Sequence, residues 1–282
     1  MEQWSPNRRR IEVNGLALAV AEAGKGPPVL LLHGFPDSAD LWRHQVPALV
    51  AAGFRCVVPD LRGFGQSDRP GDVEAYAIPL LLGDVAGVMD QMDIPRARVV
   101  GHDWGAAVAW VMGSLMSDRV DRLVVLSVGH PRAFAEAGME QRMRSWYMLL
   151  FQFRGVAEEF LQADNWRNFR AFVGDVVDLE RYVADLSRPG ALEAALAWYR
   201  ANVPPESLVS PPLELPLVPV PTMGIWSSGD FALTEAQMKG SSKFVDGSWR
   251  YERIEGPGHW MQLDAPEQVN ALLVDFLGDA DA

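Results

Sequence analysis

Cysteine is almost absent from this chain, which contains a single one, Cys56, among its 282 residues. One thiol cannot form an intrachain disulfide, and such a composition is compatible with a reducing cytoplasm. Cys56 stands within the apolar segment 54–58 and is predicted to be a small, buried core residue. The sequence therefore predicts a cytoplasmic protein whose fold does not depend on disulfides.

Long apolar runs are absent as well. No segment approaches the ~20 apolar residues that a membrane-spanning helix requires. The charged segment 1–10 has no apolar stretch behind it, so no signal peptide is predicted. Within it, the triplet Arg8-Arg9-Arg10 is too short for a polybasic anchor and is expected to be a solvated strand edge. The sequence thus predicts no membrane association.

Basic residues are outnumbered by acidic ones, since 25 Lys and Arg stand against 37 Asp and Glu, for a net charge of −12. Nucleic acids and anionic membrane surfaces bind clustered Lys and Arg, so neither is an expected partner. With 49% apolar and 22% charged residues, the composition is typical of a globular protein with a sizeable core. The length favours one large domain, or a core with an insertion, over two independent units.

Strand and helix patterns alternate through most of the chain. Strand patterns occupy residues 29–32, 54–58, 97–100, 123–127, 222–226 and 248–254. Helical patterns occupy residues 41–52, 79–92 and 105–116, and a last helix starts near Pro266 with Asp264 as its expected N-cap. Asn14-Gly15 divides residues 11–23 into a hairpin. This order predicts a mostly parallel sheet with helices on both faces, whose reactive loops gather at the carboxyl ends of the strands.

Strand patterns disappear between about residues 131 and 220, an interval rich in aromatic side chains. Helix breakers at Gly155, Gly174 and Pro189-Gly190 divide it. An all-helical insert that leaves a sheet after one strand and returns before another is typical of a lid. We therefore expect a core formed by residues 1–130 and 216–282, and a helical cap formed by residues 131–215.

The stretch Gly101-His102-Asp103-Trp104-Gly105 has the layout of a nucleophile elbow, in which a tight turn bounded by glycines joins a strand to a helix. Such a turn strains its central residue, and neighbours without a Cβ make room for it. The common hydrolase elbow carries Ser, whereas the central residue here is Asp103. A carboxylate is a poor nucleophile toward amides and a serviceable one toward strained or activated sp³ carbon. An aspartate after a strand can also be the N-cap of the next helix.

Two further residues complete a catalytic pattern with the elbow. Asp230 and His259 each stand in a loop directly after a predicted strand. The order nucleophile, acid, histidine is that of hydrolases with this layout. In such a set the nucleophile forms a covalent intermediate, the histidine activates water, and the acid orients the histidine. Aspartate is also common in turns, so the predicted catalytic role of Asp230 depends on the whole pattern.

The elbow layout also predicts an oxyanion hole of two converging main-chain N–H groups. One belongs to the residue after the nucleophile, Trp104, and the other to Phe35 in the loop after the strand 29–32. Pro36 helps to fix that loop and has no N–H of its own that would compete.

These pieces resemble the epoxide hydrolases of the α/β-hydrolase fold. The matching segments are His33-Gly34-Phe35-Pro36, the loop 59–67, the elbow with Asp103, Gly229-Asp230 and Gly258-His259-Trp260. The resemblance covers nearly the whole chain and implies that the helical insert is the cap of that family. It also implies that two cap tyrosines bind the epoxide oxygen. Of the five tyrosines, Tyr147 and Tyr199 resemble that pair, and Tyr182 does not.

The resemblance implies a reaction that needs no metal and no other cofactor. Asp103 would attack an epoxide carbon while Tyr147 and Tyr199 protonate the leaving oxygen. His259, oriented by Asp230, would then activate the water that hydrolyses the ester. Aromatic side chains of the insert predict an apolar pocket, so the expected partners are a small hydrophobic epoxide and water. Further predicted pocket residues are Pro36, Met148, Phe151 and Trp260.

Two alternative functions stay open. Haloalkane dehalogenases share the Asp103-Trp104 pair but usually have Asn where this chain has Phe35. Fluoroacetate dehalogenases, which act on haloacids, keep the His-Gly-Phe-Pro loop but have arginine where Trp104 stands. A non-catalytic ligand-binding protein of this fold would be expected to lack one of the three catalytic residues. Neither the particular epoxide nor the choice between monomer and homodimer follows from the sequence.

Overall fold

The computed structural model of the protein describes residues 8–210 and 214–278. Its centre is an eight-stranded sheet. The strands are β1 (Arg8–Val13), β2 (Leu16–Ala23), β3 (Pro28–Leu32), β4 (Arg55–Pro59), β5 (Ala97–His102), β6 (Val120–Leu126), β7 (Thr222–Ser227) and β8 (Trp249–Ile254). Their order in the sheet is β1-β2-β4-β3-β5-β6-β7-β8. The pairs β1–β2 and β2–β4 are antiparallel and the other five are parallel, which confirms the predicted mostly parallel sheet.

The central strands are buried on both faces, which accounts for their continuous apolar runs. In β3, the side chains from Val29 to Leu32 are at most 1% exposed. The predicted hairpin joins β1 to β2. Asn14 and Gly15 have φ angles of 52° and 78°, the positive values that both central residues of a type I′ turn adopt.

The parallel strands end at one edge of the sheet, and their last residues are followed by polar side chains. Asp103 follows β5, and the loops that carry Asp230 and His259 follow β7 and β8. Residues that are far apart in the chain are therefore brought to one edge, as the sequence predicts.

Twelve α-helices lie among the described residues. They are α1 (Gln45–Ala51), α2 (Ile78–Gln91), α3 (Trp104–Leu115), α4 (Pro131–Glu136), α5 (Gly138–Arg144), α6 (Trp146–Leu150), α7 (Val156–Val173), α8 (Leu179–Leu186), α9 (Ala191–Asn202), α10 (Glu235–Gly240), α11 (Met261–Asp264) and α12 (Pro266–Gly278). Helix α1 packs against α12, and α2 packs against α3. In the described part of the chain, no helix has both the length and the apolar composition for crossing a bilayer.

Two local predictions about helix ends are wrong. Instead of one helix over residues 41–52, a 3₁₀ turn at Ala39–Trp42 precedes α1, because Pro47 would clash with the carbonyl group of residue 43 in a continuous helix. Asp264 does not cap α12, because it is the last residue of α11. Its carboxylate instead accepts a hydrogen bond from the N–H of Gly258 over 3.0 Å.

The expectation of a fully solvated strand edge at residues 8–10 is also wrong for Arg8. The side chain of Arg8 is only 9% exposed and forms ion pairs with Asp40 over 2.8 Å and Asp60 over 3.2 Å. A buried guanidinium requires such partners. Arg9 and Arg10 have side chains that are 55% and 52% exposed, as expected. Cys56 is fully buried, which confirms its prediction.

Six helices, α4–α9, follow one another between β6 and β7, and residues 131–210 contain no strand. Helix α7 is interrupted at Ala163–Trp166, where the last three residues have positive φ angles. The division of the chain into a core and a cap at residues 131–215 stays a prediction, and part of its far end, residues 211–213, lies outside the described residues.

Candidate active site

Asp103 occupies the tip of a strained turn between β5 and α3. Its φ and ψ angles are 53° and −123°, a conformation that a residue with a Cβ rarely adopts. The flanking glycines permit the turn: a Cβ on Gly101 would clash with the main chain of Gly105, and one on Gly105 would clash with the carbonyl oxygen of Leu32. The backbone thus has the geometry that the elbow motif predicts.

The two carboxylate oxygens of Asp103 have different partners. The main-chain N–H of Phe35 donates to Oδ1 over 2.8 Å, whereas Oδ2 lies 3.6 Å from Nε2 of His259. A Cβ placed on Gly34 would clash with both the Asp103 carboxylate and the main-chain nitrogen of Trp104. The N–H groups of Phe35 and Trp104 therefore border the space around Oδ1, and their joint role as an oxyanion hole stays a prediction.

His259 lies between Asp103 and Asp230. Its Nδ1 is 3.0 Å from Oδ2 of Asp230, while Nε2 faces Asp103. The other oxygen of Asp230 accepts hydrogen bonds from the N–H groups of Ala232 and Leu233, both over 2.9 Å. Asp230 is thereby fixed with one oxygen toward the histidine, which is the arrangement that orients a catalytic base.

The charges of this triad shift the pKa of both partners. Burial acts to lower the pKa of His259, but the nearby carboxylates of Asp230 and Asp103 outweigh it and raise the pKa to about 10. Burial acts to raise the pKa of Asp230, but His259 and two main-chain N–H groups hold it below its ordinary value. In the resting state His259 is therefore a cation held between two carboxylates.

Two other histidines near the site have structural partners. The N–H of Leu61 donates to Nε2 of His33 over 2.9 Å, and Nε2 of His102 bonds the carbonyl oxygen of His259 over 2.9 Å. Burial lowers the pKa of His33 to about 4 and that of His102 to about 3. Both rings are therefore neutral at pH 7 and hold loops.

Tyr147 and Tyr199, the two tyrosines that the resemblance singles out, lie side by side and line the same cavity as Asp103. Their ring centroids are 6.0 Å apart in an edge-to-face contact, and the residues are 4% and 2% exposed. Burial and the charge of Asp103 raise the pKa of both phenols well above their ordinary value. Both therefore carry their protons at neutral pH and can serve as hydrogen-bond donors.

A cavity joins the triad to the tyrosines. It is lined by Phe35, Asp103, Tyr147, Phe172, Val173, Tyr199, Phe231, Ala232, His259 and Trp260. Apart from Asp103, His259 and the two phenols, the lining is apolar or aromatic, as the sequence predicts. Phe231 is 39% exposed and Phe172 is partly exposed, and their rings touch edge to face with centroids 5.6 Å apart.

Of the four further residues predicted for the pocket, Trp260 lines the cavity. Phe151 lies behind the lining, with its ring centroid 4.9 Å from that of Tyr199. Pro36 is buried next to Phe35, and Met148 is partly buried on α6. Contact of Pro36, Met148 and Phe151 with a substrate stays a prediction.

Two buried polar groups near the site escape sequence reasoning. The carboxylate of Asp37, directly after the His-Gly-Phe-Pro loop, bonds Trp260 and Tyr182. Burial raises its pKa to about 6, although Arg181 acts to lower it. The guanidinium of Arg200 donates to the carbonyl oxygen of Phe151 over 2.8 Å. The position of Asp37 beside a motif is a usable signal, whereas nothing in the sequence distinguishes Arg200.

Among the described residues, no group of three or more His, Cys, Asp or Glu side chains is arranged to hold a metal ion. The predicted catalytic residues are two carboxylates, one imidazole and two phenols. Such a set can alkylate a carboxylate, protonate a leaving oxygen and activate water.

Comparison with known proteins agrees with this geometry. The model of the alpha/beta hydrolase fold family matches residues 27–266. Epoxide hydrolase A from Mycobacterium tuberculosis is 34% identical, with 97% of this chain and 98% of that protein covered. The crystal structure of Epoxide Hydrolase A from Mycobacterium thermoresistibile is 30% identical, has a TM-score of 0.79, and is covered over 98% of its chain and 97% of this one. The Bacillus megaterium epoxide hydrolase, solved with an inhibitor, is 28% identical with a TM-score of 0.88 over 96% of this chain and all of that one.

Proposed function

Because the chain belongs to the epoxide hydrolases of the α/β-hydrolase fold, we propose that it converts epoxides to diols by way of a covalent ester on Asp103. The observation that carries this proposal is the unequal placement of the two carboxylate oxygens. Oδ1 is bound by the N–H of Phe35, Oδ2 faces His259, and Asp103 lines the cavity. One oxygen is therefore stabilised as a carbonyl oxygen while the other is free to attack.

In the first step, Oδ2 of Asp103 attacks one carbon of the epoxide ring and the carbon–oxygen bond breaks. The leaving oxygen takes a proton from the pair Tyr147 and Tyr199, whose phenols are protonated at neutral pH because their pKa values are raised. A buried alkoxide would be costly without such donors. The product of the step is a hydroxyalkyl ester of Asp103.

In the second step, His259 removes a proton from water, and the hydroxide adds to Cγ of Asp103. Ester formation neutralises Asp103, which removes one of the two charges that raise the pKa of His259. Alkylation thereby lowers the pKa of His259, its proton returns to the phenolate that ring opening left, and the neutral imidazole can act as a base near neutral pH. The N–H groups of Phe35 and Trp104 stabilise the oxyanion. The bond from Cγ to Oδ2 then breaks, the leaving alkoxide takes the proton of the carboxylic acid that forms, and the diol leaves as the carboxylate is restored.

The helices between β6 and β7 supply the roof of this site. Tyr147 lies on α6, Tyr199 lies on α9, and Phe172, which also lines the cavity, lies on α7. We therefore assign residues 131–215 to a cap and residues 1–130 and 216–282 to the core. The aromatic lining favours hydrophobic epoxides as substrates, since it offers few polar partners.

A panel of aryl and alkyl epoxides tests this function. The purified protein is expected to release diol, and the Asp103→Ala variant is expected to release none. A parallel panel of haloalkanes and fluoroacetate, assayed for halide, tests the dehalogenase alternatives. Halide release that exceeds diol release by the unchanged protein would contradict the proposal, as would diol release by Asp103→Ala. Turnover of neither panel would favour a ligand-binding role.

A further inference from the structure

Asp37 is buried at the junction of three segments. Its side chain is 1% exposed. Oδ2 accepts hydrogen bonds from Nε1 of Trp260 over 2.9 Å and from the hydroxyl of Tyr182 over 3.0 Å. Oδ1 accepts one from Nη2 of Arg181 over 2.9 Å. A carboxylate is tolerated in such a place only when donors replace its water, so Asp37 and its donors form one unit.

Through Trp260, this unit reaches the catalytic base. Trp260 directly follows His259, and the two rings touch edge to face with centroids 5.0 Å apart. The hydrogen bond from Nε1 to Asp37 restricts rotation of the indole relative to the imidazole. Asp37 also lies two residues after Phe35, whose N–H holds the nucleophile. The carboxylate of Asp37 therefore fixes the Trp260 ring that packs against His259.

Through Arg181 and Tyr182, the same unit reaches α8 in the helical insert. Arg181 also pairs with Asp178 over 2.6 Å. Asp178 in turn pairs over 2.7 Å with Arg43, which precedes α1. Two charged groups therefore face Asp37: the guanidinium of Arg181 in direct contact, and the carboxylate of Asp178 beyond it. The cluster ties the insert to the loops that carry the oxyanion donor and the base.

We infer that Asp37 is a positioning residue for ester hydrolysis, which holds Trp260 and through it the ring of His259. The inference rests on the proposed function, because only a two-step reaction has a hydrolysis step to position. Asp37 contacts neither substrate nor Asp103 in this role. The tyrosines that act in ring opening lie on α6 and α9, whereas the hydrogen bonds of Asp37 run to α8 and to Trp260 beside His259. The loss of Asp37 should therefore slow hydrolysis more than ring opening.

Asp37→Asn tests this inference at nearly constant volume. The amide oxygen should face Arg181, because an N–H group there would meet a cation. The amide N–H group then faces Nε1 of Trp260, which is also a donor, so that contact is lost. Rapid mixing of enzyme in excess with styrene oxide resolves ester formation from ester decay. We expect the decay rate to fall about tenfold or more and the formation rate to stay within about threefold, since small displacements of a catalytic group have large effects on rate.

Trp260→Phe distinguishes positioning of His259 through Trp260 from a general contribution of Asp37 to the stability of the fold. It removes the Nε1 donor but keeps an aromatic ring beside His259. If Asp37 acts through Trp260, adding Asp37→Asn to Trp260→Phe should lower the decay rate little further. Tyr182→Phe leaves the indole bonded and should affect decay less than Trp260→Phe does.

Tyr76→Phe is the matched control, because Tyr76 is a buried tyrosine whose hydroxyl donates to the carbonyl oxygen of Pro70 over 2.9 Å. It loses one buried hydrogen bond outside the cluster and should leave both rates unchanged. Equal slowing of the two steps in Asp37→Asn, or additive effects in the double variant, would overturn the inference.

Two further outcomes are also decisive. If Asp37→Asn does not fold, a selective loss of ester decay in Trp260→Phe that exceeds the loss in Tyr182→Phe supports the inference, and its absence overturns it. If the unchanged protein forms diol without any ester on Asp103, the proposed function itself fails, and the inference fails with it.

Discussion

The main-chain N–H of Phe35 donates to Oδ1 of Asp103 over 2.8 Å, so one of the two nucleophile oxygens is already bound in the resting protein. The other oxygen is the one that faces His259 at 3.6 Å. After attack through Oδ2, the ester carbonyl oxygen is Oδ1, and it keeps the same N–H partner through the tetrahedral intermediate. In the proposed mechanism, the Phe35 donor of the oxyanion hole is therefore preorganised, which is the condition for strong electrostatic stabilisation.

This arrangement predicts where solvent oxygen goes. In one turnover in water labelled with heavy oxygen, the hydroxide adds to Cγ of Asp103 and Oδ2 leaves with the diol. Mass spectrometry of the peptide that contains Asp103 should show one heavy oxygen, while the diol of that turnover should contain none. Heavy oxygen in the diol beside an unlabelled Asp103 would mean direct attack by water on the epoxide.

His259→Gln should stop the reaction halfway. Glutamine keeps a polar side chain of similar reach but cannot remove a proton from water, and general-base catalysis contributes about 10²- to 10⁴-fold. The variant should therefore react once with styrene oxide and accumulate the ester, seen as a mass increase of the intact protein. Adding Asp103→Asn to the variant is the control and should abolish the adduct. A variant that turns over at the rate of the unchanged protein would exclude His259 as the base.

Stability against pH tests the ion pairs of His259. Its folded-state pKa is raised from 6.5 to about 10, so its contribution to stability is fully present below pH 6.5 and is lost as the pH rises through about 10. Asp103→Asn removes one of the charges that cause the shift. Urea unfolding at pH 6 and at pH 10 gives the free energy of unfolding at each pH. From pH 6 to pH 10 this free energy should fall by at least about 1 kcal/mol more in the unchanged protein than in the variant. Equal losses would mean that Asp103 does not interact with the charged histidine.

The sequence predicts the sheet well, and it singles out three residues that the structure brings together, because both depend on local signals. Buried parallel strands require continuous apolar runs, and the elbow requires small residues at Gly101 and Gly105, where a Cβ would meet the main chain. Asp230 and His259 could be found because each follows a strand, and parallel strands deliver their ends to one edge.

The features that sequence reasoning misses depend on distant partners. Trp260 lies 223 residues from Asp37 in the chain, so neither residue alone indicates that they bond. The burial of Arg8 depends in the same way on Asp40 and Asp60. An arginine next to two others looks solvated until the fold brings carboxylates to it.

Tyr147→Phe and Tyr199→Phe should each slow ring opening and leave ester decay unchanged. The phenols donate to the epoxide oxygen only while the ring opens, so the loss of one donor should cost about 10- to 100-fold in the rate of ester formation. Rapid mixing with styrene oxide measures both rates, and Tyr76→Phe is the matched control outside the site. If either variant slows ester decay as much as ester formation, that tyrosine does not act as a donor in the first step.

The spacing of the two tyrosines should depend on a buried ion pair in the helical insert. Nη1 of Arg200, the residue after Tyr199, lies 2.7 Å from Oε1 of Glu158, and its Nε donates to the carbonyl oxygen of Phe151 over 2.8 Å. Burial acts to raise the pKa of Glu158, but Arg200 holds it below its ordinary value. The pair therefore joins α9 to the start of α7 and the end of α6, which carries Tyr147.

Arg200→Met should break the ion pair with Glu158 and weaken the contact between α9 and α7. Breaking a buried pair leaves one charge without its partner, so the free energy of unfolding should fall by about 3 kcal/mol at pH 7, and less in acid, where Glu158 is protonated. Ester formation from styrene oxide should slow while ester decay stays the same, because the triad lies on other segments. Arg170→Met, which breaks the exposed pair with Glu180 on α8, is the control and should change neither rate nor stability by much. A stability loss in Arg200→Met with both rates unchanged would show that the pair supports the insert without setting the tyrosines.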